Sequence, residues 1–122
     1  MTITLNHLII PAADRWAGAR FLARLIGGEP VAAGPFAALR VNDDLTVDFA
    51  DDQPLAAGHY AFLVDDARFD ALLAVLAADP DLVHGSGPEH GWDRRTNTLG
   101  GGRGVYVRDP DGHAYEFFTA VP

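Results

Sequence analysis

The sequence contains no cysteine and no lysine, and each absence excludes a class of function. Without cysteine, the chain can form no disulfide scaffold, no zinc–thiolate centre and no thiol nucleophile. The basic residues are all arginine, and 9 of them stand against 17 acidic residues, which gives a formal net charge of −8. No basic cluster is interleaved with aromatic residues, so the phosphate backbone of a nucleic acid would be repelled. We therefore expect no nucleic-acid partner.

Long apolar runs are also missing. No stretch approaches the roughly 20 apolar residues that are needed to cross a bilayer, and the N-terminal residues lack the charged and then apolar pattern of a secretory signal. We expect a cytoplasmic protein with no membrane partner. With 122 residues, 48% of them hydrophobic, the chain is long enough for a single domain, residues 1–122, that buries a core without disulfides.

Hydrophobic periodicity divides the chain into two similar halves. In each half, a strand rich in β-branched or aromatic residues is followed by an amphipathic helix and then by three short strand candidates. Glycine pairs and prolines end several of these segments. The predicted strands are 2–10, 29–33, 36–42 and 46–50, then 59–64, 82–84, 103–108 and 113–119, with helices at 13–26 and 67–78.

The two halves also match in their polar residues. Superposing His7 on His59 superposes Asp14 on Asp66, each seven residues later and at the start of a helix. Self-similarity at a fixed offset indicates equivalent structural units. We predict an α+β fold in which two paired βαβββ units, approximately 1–52 and 56–122, form a cup from mixed, largely antiparallel sheets.

The segment from Gly85 to Gly102 shows little pattern. A loop of this length inside a small domain is usually functional or hides a strand, and we place that hidden strand at Trp92–Leu99. Trp92 is a candidate substrate-binding residue that either covers the cup as a lid or packs against a partner chain.

Three residues carry the predicted chemistry: His7, His59 and Glu116. Side chains alternate across a strand, and each of the three shares its face with small or apolar neighbours. A polar group on such a face is costly unless it is paired. Taken alone, each histidine is best interpreted as an ordinary core histidine. Taken alone, Glu116 is best interpreted as the partner of an arginine in an ion pair. Their repeat-related positions favour instead a divalent ion bound by all three.

Two histidines and one carboxylate form a facial triad that leaves coordination positions open, which is typical of catalysis. Such a site accepts Fe, Mn, Ni, Co or Zn. Asp48 occupies the last strand of the first unit, as Glu116 does in the second. The sequence leaves four roles open for Asp48. It is a fourth ligand, it acts through a water, it accepts a hydrogen bond from a ligand histidine or, if it does not bind the metal, it is the general base. The remaining histidines, His84, His90 and His113, are expected to be structural or exposed.

Three segments resemble the vicinal oxygen chelate superfamily, which includes glyoxalase I, bleomycin-resistance proteins, fosfomycin-modifying enzymes and extradiol dioxygenases. They are Leu5–Ile9, Gly58–Phe62 and Asp109–Glu116, and the Asp-Pro-Asp-Gly-His turn before Tyr-Glu is the most specific part. The resemblance covers nearly the whole chain. It implies paired βαβββ units, metal ligands at His7, His59 and Glu116, and a homodimer.

The resemblance also allows the enzyme classes of this superfamily to be compared with the chain. Fosfomycin-modifying enzymes carry a serine-bearing loop where this chain has Gly100–Gly104, which argues against that activity. Extradiol dioxygenases have a catalytic tyrosine ten residues before the glutamate, and Tyr106 stands there. Glyoxalase I has a glutamate where this chain has Asp48.

The predicted function is a metal-dependent lyase, isomerase or ring-cleaving dioxygenase acting on a small substrate with vicinal oxygens. Arg103, flanked by glycines, is a candidate substrate ligand, because a guanidinium binds carboxylates in a bidentate manner. The alternative is a metal-free protein that sequesters a small aromatic or apolar compound, as bleomycin-resistance proteins do.

Overall fold

The computed structural model describes all 122 residues and consists of two compact units, Met1–Ala56 and Ala57–Pro122. Each unit has one helix and one four-stranded sheet, in the predicted order βαβββ. Unit 1 contains β1 (His7–Pro11), α1 (Arg15–Ile26), β2 (Val31–Ala33), β3 (Phe36–Arg40) and β4 (Thr46–Ala50); unit 2 contains β5 (His59–Leu63), α2 (Asp66–Ala78), β6 (Val83–Gly85), β7 (Gly104–Arg108) and β8 (Ala114–Phe118).

The two sheets have the same topology. The strand order is β1-β4-β3-β2 in unit 1 and β5-β8-β7-β6 in unit 2. The first and last strands of each unit are parallel neighbours, and the other pairings are antiparallel. The predicted α+β class and the internal repeat are therefore confirmed, and each sheet is mixed.

In each unit, one face of the sheet is buried and the other is left open. Alternate side chains of the strands join the apolar stripe of the helix, because residues two apart along a strand point to the same face. The unit 1 core includes Ile10, Leu39, Val47 and Phe49 with Leu22 and Leu25 of α1, and the unit 2 core includes Val105, Val107, Tyr115 and Phe117 with Phe69, Leu72 and Leu76 of α2. The candidate ligands lie on the open faces.

Both helices begin at an aspartate, but not at equivalent ones. The side chain of Asp14 accepts the backbone N–H groups of Trp16 and Ala17, both at 2.9 Å. In unit 2 the N-cap is Asp65, whose Oδ1 accepts the N–H of Arg68 at 2.8 Å. Caps of this kind satisfy N–H groups that have no partner within the helix. The two units therefore differ by one residue between strand and helix.

Two strand predictions were wrong. The first strand begins at His7, not at residue 2, because its only neighbour, β4, begins at Thr46, which pairs with His7. The strand predicted at Trp92–Leu99 is reduced to a single bridge between Asn97 and Gly104. Trp92 has a φ of 55° and Arg94 a φ of 62°, which are incompatible with an extended strand.

Neither helix is long and apolar enough to span a membrane.

Candidate functional site

One row of residues crosses the open face of the unit 2 sheet. Ala61 of β5 pairs with Glu116 of β8, Glu116 pairs with Tyr106 of β7, and Tyr106 pairs with Gly85 of β6. Directly paired residues point to the same face. The row therefore places the carboxylate of Glu116 between a small residue and a phenol.

His59 joins this row by contacting Glu116. Its Nε2 lies 2.9 Å from Oε1 of Glu116, and the side chains are 55% and 8% exposed, respectively. A carboxylate only accepts hydrogen bonds, so Nε2 of His59 carries the proton and donates it. Two atoms that each lie about 2.1 Å from one ion and about 90° apart are about 3 Å from each other. The separation of this pair fits two neighbouring ligands of a divalent ion.

Tyr106 completes the cluster in unit 2. Its ring centroid lies 5.6 Å from that of His59, and its hydroxyl is hydrogen-bonded to Glu116. Burial, together with this hydrogen bond and the charge of Glu116, raises the pKa of Tyr106 to about 12. The phenol is therefore protonated near neutral pH and donates to the carboxylate that would bind the ion.

In unit 1, the open face carries His7 and Asp48. Asp48 pairs with Ile9 as Glu116 pairs with Ala61, so the two carboxylates are equivalent by register. Nδ1 of His7 lies 3.0 Å from Oδ1 of Asn6. An amide oxygen accepts, so the proton of His7 is on Nδ1 and the lone pair of Nε2 is available to bind a metal.

The structure thus brings together His59, Tyr106 and Glu116, whereas His7 and Asp48 belong to unit 1. It forms no group of three or more histidine, aspartate and glutamate side chains that could hold an ion. The separation of His59 and Glu116 is compatible with two ligands of one ion, and the roles of His7, His59 and Glu116 as metal ligands stay predictions.

The long loop reaches the end of the same row. A Cβ atom on Gly85 would lie 2.8 Å from Cα of Trp92 and from the backbone nitrogen of Asp93. Because Gly85 shares its face with Tyr106, the backbone at 92–93 crosses the open face of β6 next to the phenol. This close approach requires glycine at position 85. The backbone of Trp92 therefore lies beside the candidate site, and its substrate-binding role stays a prediction.

A compact hydrogen-bond network holds this loop. Asp93 accepts from the backbone N–H of Ser86 at 2.9 Å and from its hydroxyl at 2.7 Å. Because that hydroxyl donates to Asp93, it accepts from Nδ1 of His90, 2.8 Å away. The backbone N–H of Arg95 donates to Asp93 at 3.1 Å. We call Ser86, His90 and Asp93 the loop network.

Acid is expected to release the loop network. The hydrogen bonds from Ser86 lower the pKa of Asp93 from its ordinary value of 3.8 to about 2. Because the pKa of Asp93 is lower in the folded protein than in the unfolded chain, ionised Asp93 stabilises the fold at pH values above its unfolded-state pKa. This contribution is lost as the pH falls through its folded-state pKa. In a Trp16→Phe protein, which retains Trp92 as its only tryptophan, we expect the fluorescence of Trp92 to change between about pH 4 and pH 2.

Asp93→Asn in the same background is the comparison, since it mimics the protonated acid. It should show the acid-type fluorescence already at neutral pH, while far-ultraviolet circular dichroism reports whether the whole chain unfolds. Identical fluorescence titrations for the two proteins would contradict a role of Asp93 in holding the loop.

Arg103 points towards α2. Its guanidinium donates to Asp70 at 2.8 Å and to Asp66 at 2.9 Å, and its Cζ lies 4.6 Å from the ring centroid of Phe69. These contacts engage the guanidinium in tying the start of β7 to the helix. Its proposed contact with substrate stays a prediction that no observed contact supports.

His113 meets the first of the two expectations for it, that it is structural or exposed. His113 belongs to the turn before β8, as expected, but it is fully buried, and its Nδ1 accepts the backbone N–H of Gly58 at 2.9 Å. The alternation of His113 with Tyr115 and Phe117, both buried, is the signal that could have revealed this. The imidazole of His90 is half exposed, and His84 is partly buried.

Comparison with known proteins gives two close structural relatives. The chain is 41% identical to a structure described as oxidase ChaP-H1, with a TM-score of 0.89, covering 99% of this chain and 98% of that one. It is 35% identical to oxidase ChaP-H2, with a TM-score of 0.89, covering 100% and 96%. A glyoxalase/dioxygenase from Nostoc punctiforme is 24% identical, with a TM-score of 0.68 over 98% and 91%, which shows the fold alone. No protein-family model and no curated protein sequence matches the chain.

Proposed function

The chain belongs to the vicinal oxygen chelate superfamily, and on that premise we propose that it is a divalent-metal-dependent oxidase acting on a small substrate with two neighbouring oxygens. The observation that carries this proposal is the contact of 2.9 Å between His59 and Glu116 on the open face of unit 2. Both close relatives are described as oxidases, which favours oxidation over the lyase or isomerase chemistry that the sequence also allowed.

We propose that His59 and Glu116 hold the ion and that His7 is the third ligand. A bound divalent ion supplies Lewis acidity and open coordination positions for neighbouring oxygen atoms. The lone pair on Nε2 of His7, left available by the hydrogen bond to Asn6, supports this assignment. A carboxylate and two neutral imidazoles suit Fe, Mn, Ni, Co or Zn.

The other residues of the site have separate roles in this proposal. Tyr106 keeps its proton, orients Glu116 and presents a phenol to the substrate, so it acts as a hydrogen-bond donor and not as a base. Asp48, a carboxylate in the equivalent register position of unit 1, is the proposed proton acceptor or a further ligand. Trp92 would form a wall against an aromatic substrate, because the loop that carries it passes over Gly85.

We also propose that the protein is a cytoplasmic homodimer. Large apolar side chains remain exposed on the open faces of the sheets: Ile9 is 41% exposed, Leu63 61% and Val83 42%. Exposed apolar surface of this kind favours association.

Metal content and oxygen consumption test the proposed function. We expect the purified protein to bind roughly one divalent ion per chain, and His7→Ala and Glu116→Ala to retain less than about a tenth of it. After anaerobic loading with Fe(II), the wild type should consume oxygen in the presence of a catechol, and both variants should not.

Two matched variants serve as controls. Glu29→Ala removes an exposed glutamate of unit 1, and His90→Ala removes a histidine of the long loop; both should retain the ion. Equal, negligible metal in the wild type, His7→Ala and Glu116→Ala would overturn the proposal in favour of a metal-free protein that sequesters an apolar compound. Metal binding without oxygen uptake would contradict the oxidase and favour a lyase or isomerase.

A further inference from the structure

Both polar backbone groups of Gly58, the residue before His59, are held by the turn that leads into β8. The N–H of Gly58 donates to Nδ1 of His113 at 2.9 Å. Its carbonyl accepts from the N–H of Ala114, also at 2.9 Å. Two hydrogen bonds thus hold the peptide groups of Gly58, immediately before His59, the residue that contacts Glu116.

The hydrogen bond to Gly58 also defines the chemical state of His113. A backbone N–H can only donate, so Nδ1 of His113 carries a lone pair and the ring proton is on Nε2. The ring is fully buried and lies 5.6 Å, edge to face, from Tyr60. The carboxylate of Asp109 accepts the backbone N–H of His113 at 2.9 Å. The imidazole is therefore held in one orientation by packing and by the turn.

In unit 1, the residue before the histidine makes different contacts. The N–H of Thr46 donates to the carbonyl of Asn6 at 2.9 Å, which is the counterpart of the bond from Ala114 to Gly58. The residue before Thr46 is Leu45, so unit 1 has no counterpart of the imidazole of His113. Instead, the side chain of Asn6 contacts the ring of His7 directly.

Unit 2 carries no side chain at position 58, which is glycine. A Cβ atom there would lie 2.5 Å from the hydroxyl oxygen of Tyr60 and 2.7 Å from its Cζ. These separations are too short for real atoms, so any larger residue at position 58 requires the ring of Tyr60 to shift. The residue before His59 therefore has no side chain with which to orient it, and the ring of His113 holds its backbone N–H instead.

We propose that His113 is a positioning residue for His59: by holding the Gly58 peptide, it fixes where β5 begins and keeps the imidazole of His59 directed at Glu116. This inference rests on the proposed function in one respect only, namely that His59 and Glu116 bind the ion. His113 itself touches neither the ion nor the substrate. Its effect is on the geometry of a ligand, in the manner of outer-shell residues that orient metal-binding histidines.

Two substitutions separate this role from simple filling of the core. His113→Leu fills the space without an acceptor, whereas His113→Asn presents an oxygen that can accept the N–H of Gly58. We expect His113→Leu to speed exchange of the Gly58 amide hydrogen about tenfold and to weaken binding of Co²⁺ alone by about 10–100-fold. His113→Asn should recover most of both losses.

A measurement on the metal-free protein is independent of ion binding. Long-range ¹⁵N–¹H spectra of the His59 ring should show one tautomer, protonated at Nε2, in the wild type and in His113→Asn. In His113→Leu we expect a mixture of tautomers, because His59 no longer faces Glu116 persistently. Leu72→Ala, which creates a cavity in the core of the same unit, lowers thermal stability without touching Gly58 and should leave both the tautomer and the Co²⁺ affinity unchanged.

The outcomes distinguish the two proposals. A His59 tautomer and Co²⁺ affinity in His113→Leu that equal those of the wild type, or that change no more than in Leu72→Ala, would overturn the positioning role. A wild-type protein that binds no Co²⁺ or other divalent ion would contradict the proposed function, and the His59 spectra of the metal-free proteins would still decide the role of His113.

Discussion

Glu116→Gln is expected to weaken binding of a divalent ion by more than about 100-fold while leaving the metal-free fold intact. Loss of an outer-shell partner typically costs about 10–100-fold in metal affinity, and replacing a charged ligand by a neutral amide should cost more. The carboxylate is 8% exposed and 2.9 Å from His59. The amide oxygen of glutamine can still accept from Nε2 of His59 and from the hydroxyl of Tyr106. The midpoint of thermal unfolding of the metal-free protein should therefore be unchanged or slightly raised, because burying a neutral group is less costly than burying a charge.

Isothermal titration with Co²⁺ or Mn²⁺, alongside thermal unfolding of the metal-free protein, measures both effects. Glu29→Gln, which makes the same chemical change at an exposed position of unit 1, should match the wild type in both measurements. Asp48→Asn addresses the undecided fourth residue: a loss as large as that of Glu116→Gln would make Asp48 a ligand, and unchanged affinity would exclude it. Wild-type affinity in Glu116→Gln would refute the assignment of Glu116 as a ligand.

Among the substitutions proposed for this protein, Phe69→Ala is expected to lower the free energy of unfolding the most, by about 3–5 kcal/mol. The ring is fully buried at the centre of the apolar stripe of α2. It also supports the guanidinium of Arg103, whose Cζ lies 4.6 Å from the ring centroid. Its removal leaves a cavity and deprives Arg103 of its stacking surface. Typical proteins are stable by only about 5–15 kcal/mol, so the variant should unfold at a much lower urea concentration.

Urea unfolding followed by far-ultraviolet circular dichroism gives the free energy difference. Phe118→Ala, on the open face of the same unit and only half-buried, is the matched control and should lose clearly less. Equal losses in the two variants would show that Phe69 is not the packing centre described here. If Arg103 acts only through α2, Phe69→Ala and Arg103→Ala should also be non-additive, since contacting residues share part of their effect.

Much of the fold followed from local patterns. The apolar spacing of α1 and α2 predicted both helices to within a few residues, because a helix that packs on a sheet must present a continuous stripe. The repeat of His7 and His59 predicted two equivalent βαβββ units, and the paired registers confirm it. Where β1 begins was not predictable from its composition: residues 2–6 are as strand-like as the rest, but they lie beyond the strand partner at Thr46.

The candidate site was also predictable only in part. Strand alternation alone placed His59 and Glu116 on strand faces with small or apolar neighbours, and of the two side chains only that of Glu116 is buried. The alternation gave no hint that Tyr106 and Gly85 continue the row, since their place beside Glu116 depends on how β8, β7 and β6 pair. The direction of Arg103 was equally hidden, because its partners on α2 are 33 and 37 residues away.

The sequence by itself determined the secondary-structure order and the twofold repeat, and it supplied the candidate metal ligands, because these depend on residue type and on spacing within one element. Only the tertiary structure decided which of those residues meet: it set His59 2.9 Å from Glu116, passed the Trp92 loop over Gly85 and joined buried His113 to Gly58, 55 residues away. Contacts between distant segments depend on strand register and side-chain packing, and neither is encoded in the period of any single strand.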